Sequence, residues 1–157
     1  MKINFQETTK DLAVRIDIHA KYGARDIDPW MLDLIQLQPN DVILDVGCGS
    51  GKQCFSYYDR LNGQASIIGG DVSEDLLEQA RAEDKRRNAG IKFITLDFNK
   101  EFPFEKENFD FVSCCFAIYY AEDVPFTIGE MHRITKPGGR LFTTGPMPEN
   151  KKLFYDI

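Results

Sequence analysis

The stretch Val42-Ile43-Leu44-Asp45-Val46-Gly47-Cys48-Gly49-Ser50-Gly51-Lys52 sets the tightest bound on how this chain folds. An apolar run carries an acid near its end and is followed by three glycines at alternate positions. Glycine enters the left-handed region at little cost and lets a backbone approach another group closely. The stretch predicts a buried strand over Val42–Val46, a tight turn, and a helix over Ser50–Leu61. That helix carries Cys54, Phe55, Tyr58 and Leu61 on one face.

The same alternation continues. Strands are predicted at Ser66–Gly69, Ile91–Leu96, Phe109–Cys115 and Arg140–Thr144. A helix is predicted over Ser73–Asn88, capped by Ser73 and stopped by Gly90. Another runs from Pro125 to Thr135 with Ile128, Met131 and Ile134 inward, before a turn at Pro137-Gly138-Gly139. Strands one, three and four are nearly continuous apolar runs, which implies burial on both faces. Strands alternating with helices give an α/β fold with a doubly wound parallel sheet. Residues 1–40 read as a helical prefix, with Leu12, Ile16 and Ala20 at helical spacing and a second short helix from Pro29. Residues 41–157 read as the α/β core.

Composition narrows the function classes. The net charge is −6 and no basic stripe stands out, since Lys85-Arg86-Arg87 follows Glu83 and Asp84 in a helical pattern. Such a surface is a poor match for nucleic acid. The four cysteines form no C-x-x-C pair, and the two histidines, His19 and His132, lie far apart, so no metal site is expected. Nor do the cysteines read as a disulfide framework, which points to a reducing, cytoplasmic setting. Met1–Lys10 has no apolar leader core, and the run Phe111–Ala121 is too short to span a bilayer.

Doubly wound sheets bind ligands beyond the carboxyl ends of their strands. The unusual residues fall there: Asp45 and the glycines after strand one, Asp71 after strand two, Asp97 after strand three, and Cys114, Cys115 and Phe116 at strand four. The glycine spacing departs from the dinucleotide fingerprint G-x-G-x-x-G and does not match the P-loop. An acid at Asp45 disfavours a pyrophosphate and suits a ligand with an ammonium and hydroxyls. Asp71, 20 residues after Gly51, is placed to accept from ribose hydroxyls. Asp97 can accept from an exocyclic amine. An adenosine with an amino-acid tail meets these demands together.

VILDVGCGSGK, IIGGDVSEDLLEQAR, ITLDFNKEFPFEKENFDFVSCCFAIYY and EMHRITKPGGRLFTTGP, over residues 42–146, resemble the class I S-adenosylmethionine-dependent methyltransferases. The likeness is nearest to the branch that includes quinone-biosynthesis and other small-molecule enzymes. It implies a Rossmann-like sheet in the order 3-2-1-4-5 and S-adenosylmethionine as cofactor. It also implies a loop of Gly47, Cys48 and Gly49 around the methionine part, with Gly51 opening the helix and Asp45 near the ammonium. Asp71 would take the ribose, with Val72 beside the adenine. Asp97 would take the adenine amine, Phe98 would offer an amide and a ring, and Cys115 would contact the methionyl end. Glu130, Arg133 and Pro137–Gly139 match positions that are structural in the family.

Family members add two further strands, for which the chain, ending at Ile157, offers no residues. The expectation is that strand five lies at an edge and supports self-association. Methyl transfer from a sulfonium to a small-molecule acceptor needs positioning more than acid–base chemistry. The candidate bases are His19, Tyr22, Tyr119, Tyr120 and His132, and none is singled out as catalytic. Tyr119 and Tyr120 are placed to wall the acceptor. Two other readings compete: a cofactor-binding fragment without activity, and a nicotinamide-dependent oxidoreductase.

Overall fold

The computed structural model describes residues 27–145. The predicted helix of the prefix that carries Leu12, Ile16 and Ala20 lies outside them, as do His19 and Tyr22. Helix α1 (Ile27–Ile35) precedes β1 (Val42–Val46), α2 (Lys52–Arg60), β2 (Ser66–Asp71), α3 (Glu74–Arg87) and β3 (Lys92–Thr95). Then come β4 (Phe109–Cys115), a single 3₁₀ turn (Ile118–Tyr120), α4 (Val124–Ile134) and β5 (Thr135–Thr144).

All five strands are parallel and lie in the order β3-β2-β1-β4-β5, as expected. The first strand is therefore the middle one. Side-chain alternation divides it between two cores. Ile43, with Phe111 of β4, joins Cys54, Phe55 and Tyr57 of α2 and Leu77 of α3 on one face. Leu44 and Val46, with Val112 and Cys114, join Met131 and Ile134 of α4 on the other. Each such fully buried apolar side chain contributes roughly 1.5–3 kcal/mol. Ile35 of α1 belongs to the first core, so this part of the prefix packs into the α/β unit.

Several local expectations need correction. Helix α3 starts one residue after Ser73, but the serine side chain caps nothing; its backbone N–H is held instead by Asp71. The helix ends on Asn88, whose left-handed conformation at φ 53° does the work assigned to Gly90. On α4, Ile128 is exposed, and Thr127 and Glu130 are buried with Met131 and Ile134. Its cap is Asp123, whose carboxylate accepts the Phe126 N–H. Strand β3 is an edge strand with Lys92 and Thr95 exposed, so its apolar run is covered less completely than those of β1 and β4.

Pro137-Gly138-Gly139 is no separate turn. It is a bulge inside β5, which pairs Thr135 with Phe109 and then Arg140 with Phe111. Two ion pairs hold this region to its neighbours: Lys136 to Asp110 and Arg140 to Asp41. Glu130 is 9% exposed and accepts the Phe102 N–H at 2.8 Å, while Arg133 binds Glu130 and donates to the Phe102 and Phe104 carbonyls. The pair thus fastens the loop before β4 to α4. Among the described residues no helix is long and apolar enough to cross a membrane.

Candidate cofactor site

Three carboxylates follow one edge of the sheet. Asp45 is next to last in β1, Asp71 ends β2, and Asp97 lies just past β3. The turn after β1 runs among them. Gly47, Gly49 and Gly51 have φ of 70°, 54° and 82°. The amides of Gly47 and Cys48 both donate to the Gly70 carbonyl, at 2.7 and 3.0 Å, which ties the turn to β2.

The three glycines answer different needs. A Cβ at Gly47 would stand 2.5 Å from the Ala117 Cβ, and one at Gly51 would stand 2.9 Å from Phe93 Cζ. Above Gly49 the nearest atom is Leu76 Cδ1 at 3.9 Å. Gly51 serves the packing of α2 on the sheet. Gly49 keeps open space over the turn.

Asp71 braces that turn from the next strand. Its Oδ2 accepts the Gly49 N–H at 2.8 Å and its Oδ1 accepts the Ser73 N–H at 2.9 Å. A carboxylate has about four lone-pair sites, so both oxygens keep capacity for further donors. Val72 beside it is 59% exposed, an apolar side chain presented at the strand end. Asp97 Oδ1 accepts the Asn99 N–H at 3.0 Å and its Oδ2 lies 3.1 Å from Lys100 Nζ. The Asn99 amide, with Lys100, holds the Asp97 carboxyl below its ordinary range.

Asp45 is in a different setting, at 1% exposure. Ser113 donates to its Oδ1 at 2.6 Å, and the Cys54 thiol approaches Oδ2 at 3.8 Å. Burial pushes its pKa up to about 7, although the hydrogen bonds from Ser113 and Cys54 act to lower it. The Asp71 charge adds to the rise. Asp45 thus stands behind the turn, and a ligand above the turn reaches it only through an intermediary such as water.

Cys48 is buried, with its thiol against the Gly49 carbonyl at 3.6 Å. Phe98 brings a ring carbon to 3.7 Å from the Cβ position of Gly47. Cys115 ends β4 with its Sγ 3.7 Å from the Tyr57 hydroxyl. Burial pushes both of those groups above their ordinary pKa, so neither is a ready nucleophile or base. The next residue, Phe116, adopts φ 57° and is 37% exposed. The rings of Tyr119 and Tyr120 follow it, with centroids 4.4 Å apart. His132 does not join the site. It lines a cleft with Lys106, Thr135 and Pro137, where β5 begins, at the opposite edge from the carboxylates.

Two contributors were absent from the sequence reading: Ser113 and Tyr57. Ser113 had a signal, as a polar residue within an apolar strand, and it pairs in register with Asp45. Tyr57 depends on how α2 lies over the sheet, which spacing does not reveal.

The site is therefore rich in acceptors, with open space over Gly49. That suits hydroxyls, an amine and an ammonium better than a pyrophosphate. Residues 37–154 match the model of a family described as a methyltransferase domain. The chain belongs to that methyltransferase family. It is similar to the nocamycin O-methyltransferase of Saccharothrix syringae, at 30% identity over 79% of this chain and 44% of that protein. It is also similar to the demethylmenaquinone methyltransferase of Symbiobacterium thermophilum, at 35% identity over 66% of this chain and 41% of that one. The chain thus spans less than half the length of either relative. Among solved structures, an S-adenosylmethionine-dependent methyltransferase from Mesorhizobium loti superimposes with a TM-score of 0.67 at 28% identity, over 77% of this chain and 55% of that one. A methyltransferase domain on this class I fold implies S-adenosylmethionine as cofactor. The acceptor-rich edge, with free lone pairs on Asp71, fits that molecule's ribose and ammonium.

Proposed function

We propose that this methyltransferase domain serves methyl transfer from S-adenosylmethionine to a small-molecule acceptor. The observation that carries the reading is the Asp71 carboxylate. It braces the glycine turn through Gly49 and keeps lone pairs for two hydroxyls. When bound, the cofactor would supply a methyl carbon on a sulfonium, which the acceptor attacks in line as the neutral thioether leaves.

The chain's part is to bind, orient and exclude water. Asp71 takes the ribose hydroxyls. Val72 and Phe98 flank the adenine, and Asp97 accepts from its amine. The turn of Gly47, Cys48 and Gly49 follows the methionyl part, with Gly51 letting α2 begin close to the sheet. Asp45 balances the ammonium from behind the turn, and Cys115 closes the methionyl end. Tyr119 and Tyr120 wall the acceptor. A small organic acceptor is supported by the names of the two relatives, one an O-methyltransferase and one acting on demethylmenaquinone. The net charge of −6 argues against a nucleic-acid acceptor, and the free cysteines support a reducing, cytoplasmic setting. Strand β5, paired only with β4 among the described residues, offers an edge for self-association.

Titration calorimetry with S-adenosylhomocysteine and with NAD tests the reading. Binding of the first and not the second is expected. Binding of NAD alone would overturn it in favour of an oxidoreductase.

A further inference from the structure

Thr127 of α4 is completely buried, and the site described above makes no direct use of it. Its hydroxyl donates to the Phe98 carbonyl at 3.0 Å and to the Asp123 carbonyl at 3.2 Å. The bond to Asp123, four residues back, is the ordinary one for a threonine in a helix. The bond to Phe98 leaves the helix and reaches the loop after β3. A second bond runs beside it: the Glu122 N–H donates to Asn99 Oδ1 at 2.8 Å. Asn99 is itself held by Asp97, whose Oδ1 accepts its N–H at 3.0 Å. Residues 97–99 and 122–127 are thus clasped at two adjacent points.

The same two stretches meet at the glycine turn. A Cβ on Gly47 would stand 2.5 Å from the Ala117 Cβ and 3.7 Å from a ring carbon of Phe98. Between Ala117 and Glu122 lies the 3₁₀ turn with Tyr119 and Tyr120, and none of its three residues is buried. The Tyr120 and Ala121 amides close this turn onto the Ala117 and Ile118 carbonyls, at 2.9 and 3.1 Å. A turn with so little burial opens more easily than the core beside it. How steadily its rings are held therefore depends on what fixes the chain on either side.

We propose that Thr127 and Asn99 are positioning residues that join the adenine end of the site to the acceptor wall. Adenine seated against Asp97 and Phe98 fixes residues 97–99. The two bonds carry that order to the segment that bears Tyr119 and Tyr120, because restricting one loop lowers the cost of ordering another bonded to it. Thr127 acts through Phe98, and Asn99 through Glu122. The proposal rests on the cofactor reading above and adds to it two residues that hold the site without touching its ligands.

Hydrogen exchange of the Tyr120 and Ala121 amides, with and without saturating S-adenosylhomocysteine, tests the link. In the parent the ligand should slow exchange at both, along with exchange in the glycine turn. Thr127→Val keeps the shape and removes the donor. It should reduce the slowing at Tyr120 and Ala121 by about two- to tenfold, the worth of one hydrogen bond, and leave the slowing in the glycine turn unchanged. Thr127→Ser keeps the hydroxyl and should behave as the parent. A role in packing alone reverses that order, with valine tolerated and serine not, and would overturn the proposal. Asn99→Ala, at an exposed position, gives a second reading that does not disturb the core, and should reduce the slowing in the same way. Asn99→Asp retains the acceptor oxygen and should restore it. Equal slowing at Tyr120 and Ala121 in the parent, Thr127→Val and Asn99→Ala would overturn the proposal. So would slowing in the glycine turn of the parent with none at Tyr120 and Ala121. If calorimetry shows no binding of S-adenosylhomocysteine to the parent, the cofactor reading itself falls and the proposal with it, a result distinct from any outcome of the substitutions.

Discussion

Asp45 and Ser113 stand opposite each other on β1 and β4 and share a 2.6 Å hydrogen bond at a position solvent does not reach. The pair gives the domain an unusual response to pH. The Asp45 pKa is raised from 3.8 to about 7, with burial as the main cause. Between those values the native state holds a proton that the unfolded chain releases. Stability from this group is therefore complete below about pH 4, falls as pH rises, and levels off above about pH 7. The fall is of the order of 4 kcal/mol if it is not offset elsewhere. Asp45→Asn should remove it. Urea unfolding at pH 5 and pH 8 checks this: the parent should weaken relative to the variant at the higher pH. A parent that strengthens instead would show Asp45 ionised throughout.

Asp71→Ala should weaken S-adenosylhomocysteine binding by roughly 1–3 kcal/mol, the cost of losing charge-assisted hydrogen bonds. The fold should pay a smaller but measurable amount as well. Asp71 holds the Gly49 and Ser73 amides, so its removal loosens the turn and the start of α3. Calorimetry together with the melting point separates the two effects. Unchanged affinity would take Asp71 out of the site.

The glycines should rank by stability. Gly51→Ala combines a left-handed conformation with contacts near 3 Å to Phe93 and Phe55, and should cost about 2–4 kcal/mol. Gly49→Ala meets no close atom and should cost about 1 kcal/mol, the conformational term alone. It should instead lower cofactor affinity, because the added methyl enters the open space above the turn. Denaturant midpoints and calorimetry on both variants decide the ranking.

The boundaries of β1 and β4 and the edge position of the three carboxylates were legible in the sequence, each from a local signal: an apolar run, a glycine turn or an acid at a strand end. The strand order was legible only through the family resemblance, because no local signal says which strands are neighbours. What was not legible depends on competition between neighbours. Ser73 holds the cap position expected from its type, but its hydroxyl accepts no helix N–H. Gly90 was a good helix stop, but Asn88 reached the left-handed region first. The Pro137–Gly139 stretch had turn chemistry, yet pairing with β4 on both sides made it a bulge.

The central place of β1 has a consequence for the order of assembly. Val42 pairs with Ser66, a short way along the chain, whereas Ile43 must wait for Phe111. As the chain is synthesised, the β3-β2-β1 half and its glycine turn can close first, and β4 docks after a longer loop has been gathered in. Until then β1 has a bare edge, whose unpaired N–H and C=O groups are open to a foreign strand. When β4 arrives it pairs that edge along Ile43, Leu44 and Asp45. Ser113 comes with it and donates to the Asp45 carboxylate. The strand that completes the sheet thus also supplies the donor for the acid at its centre.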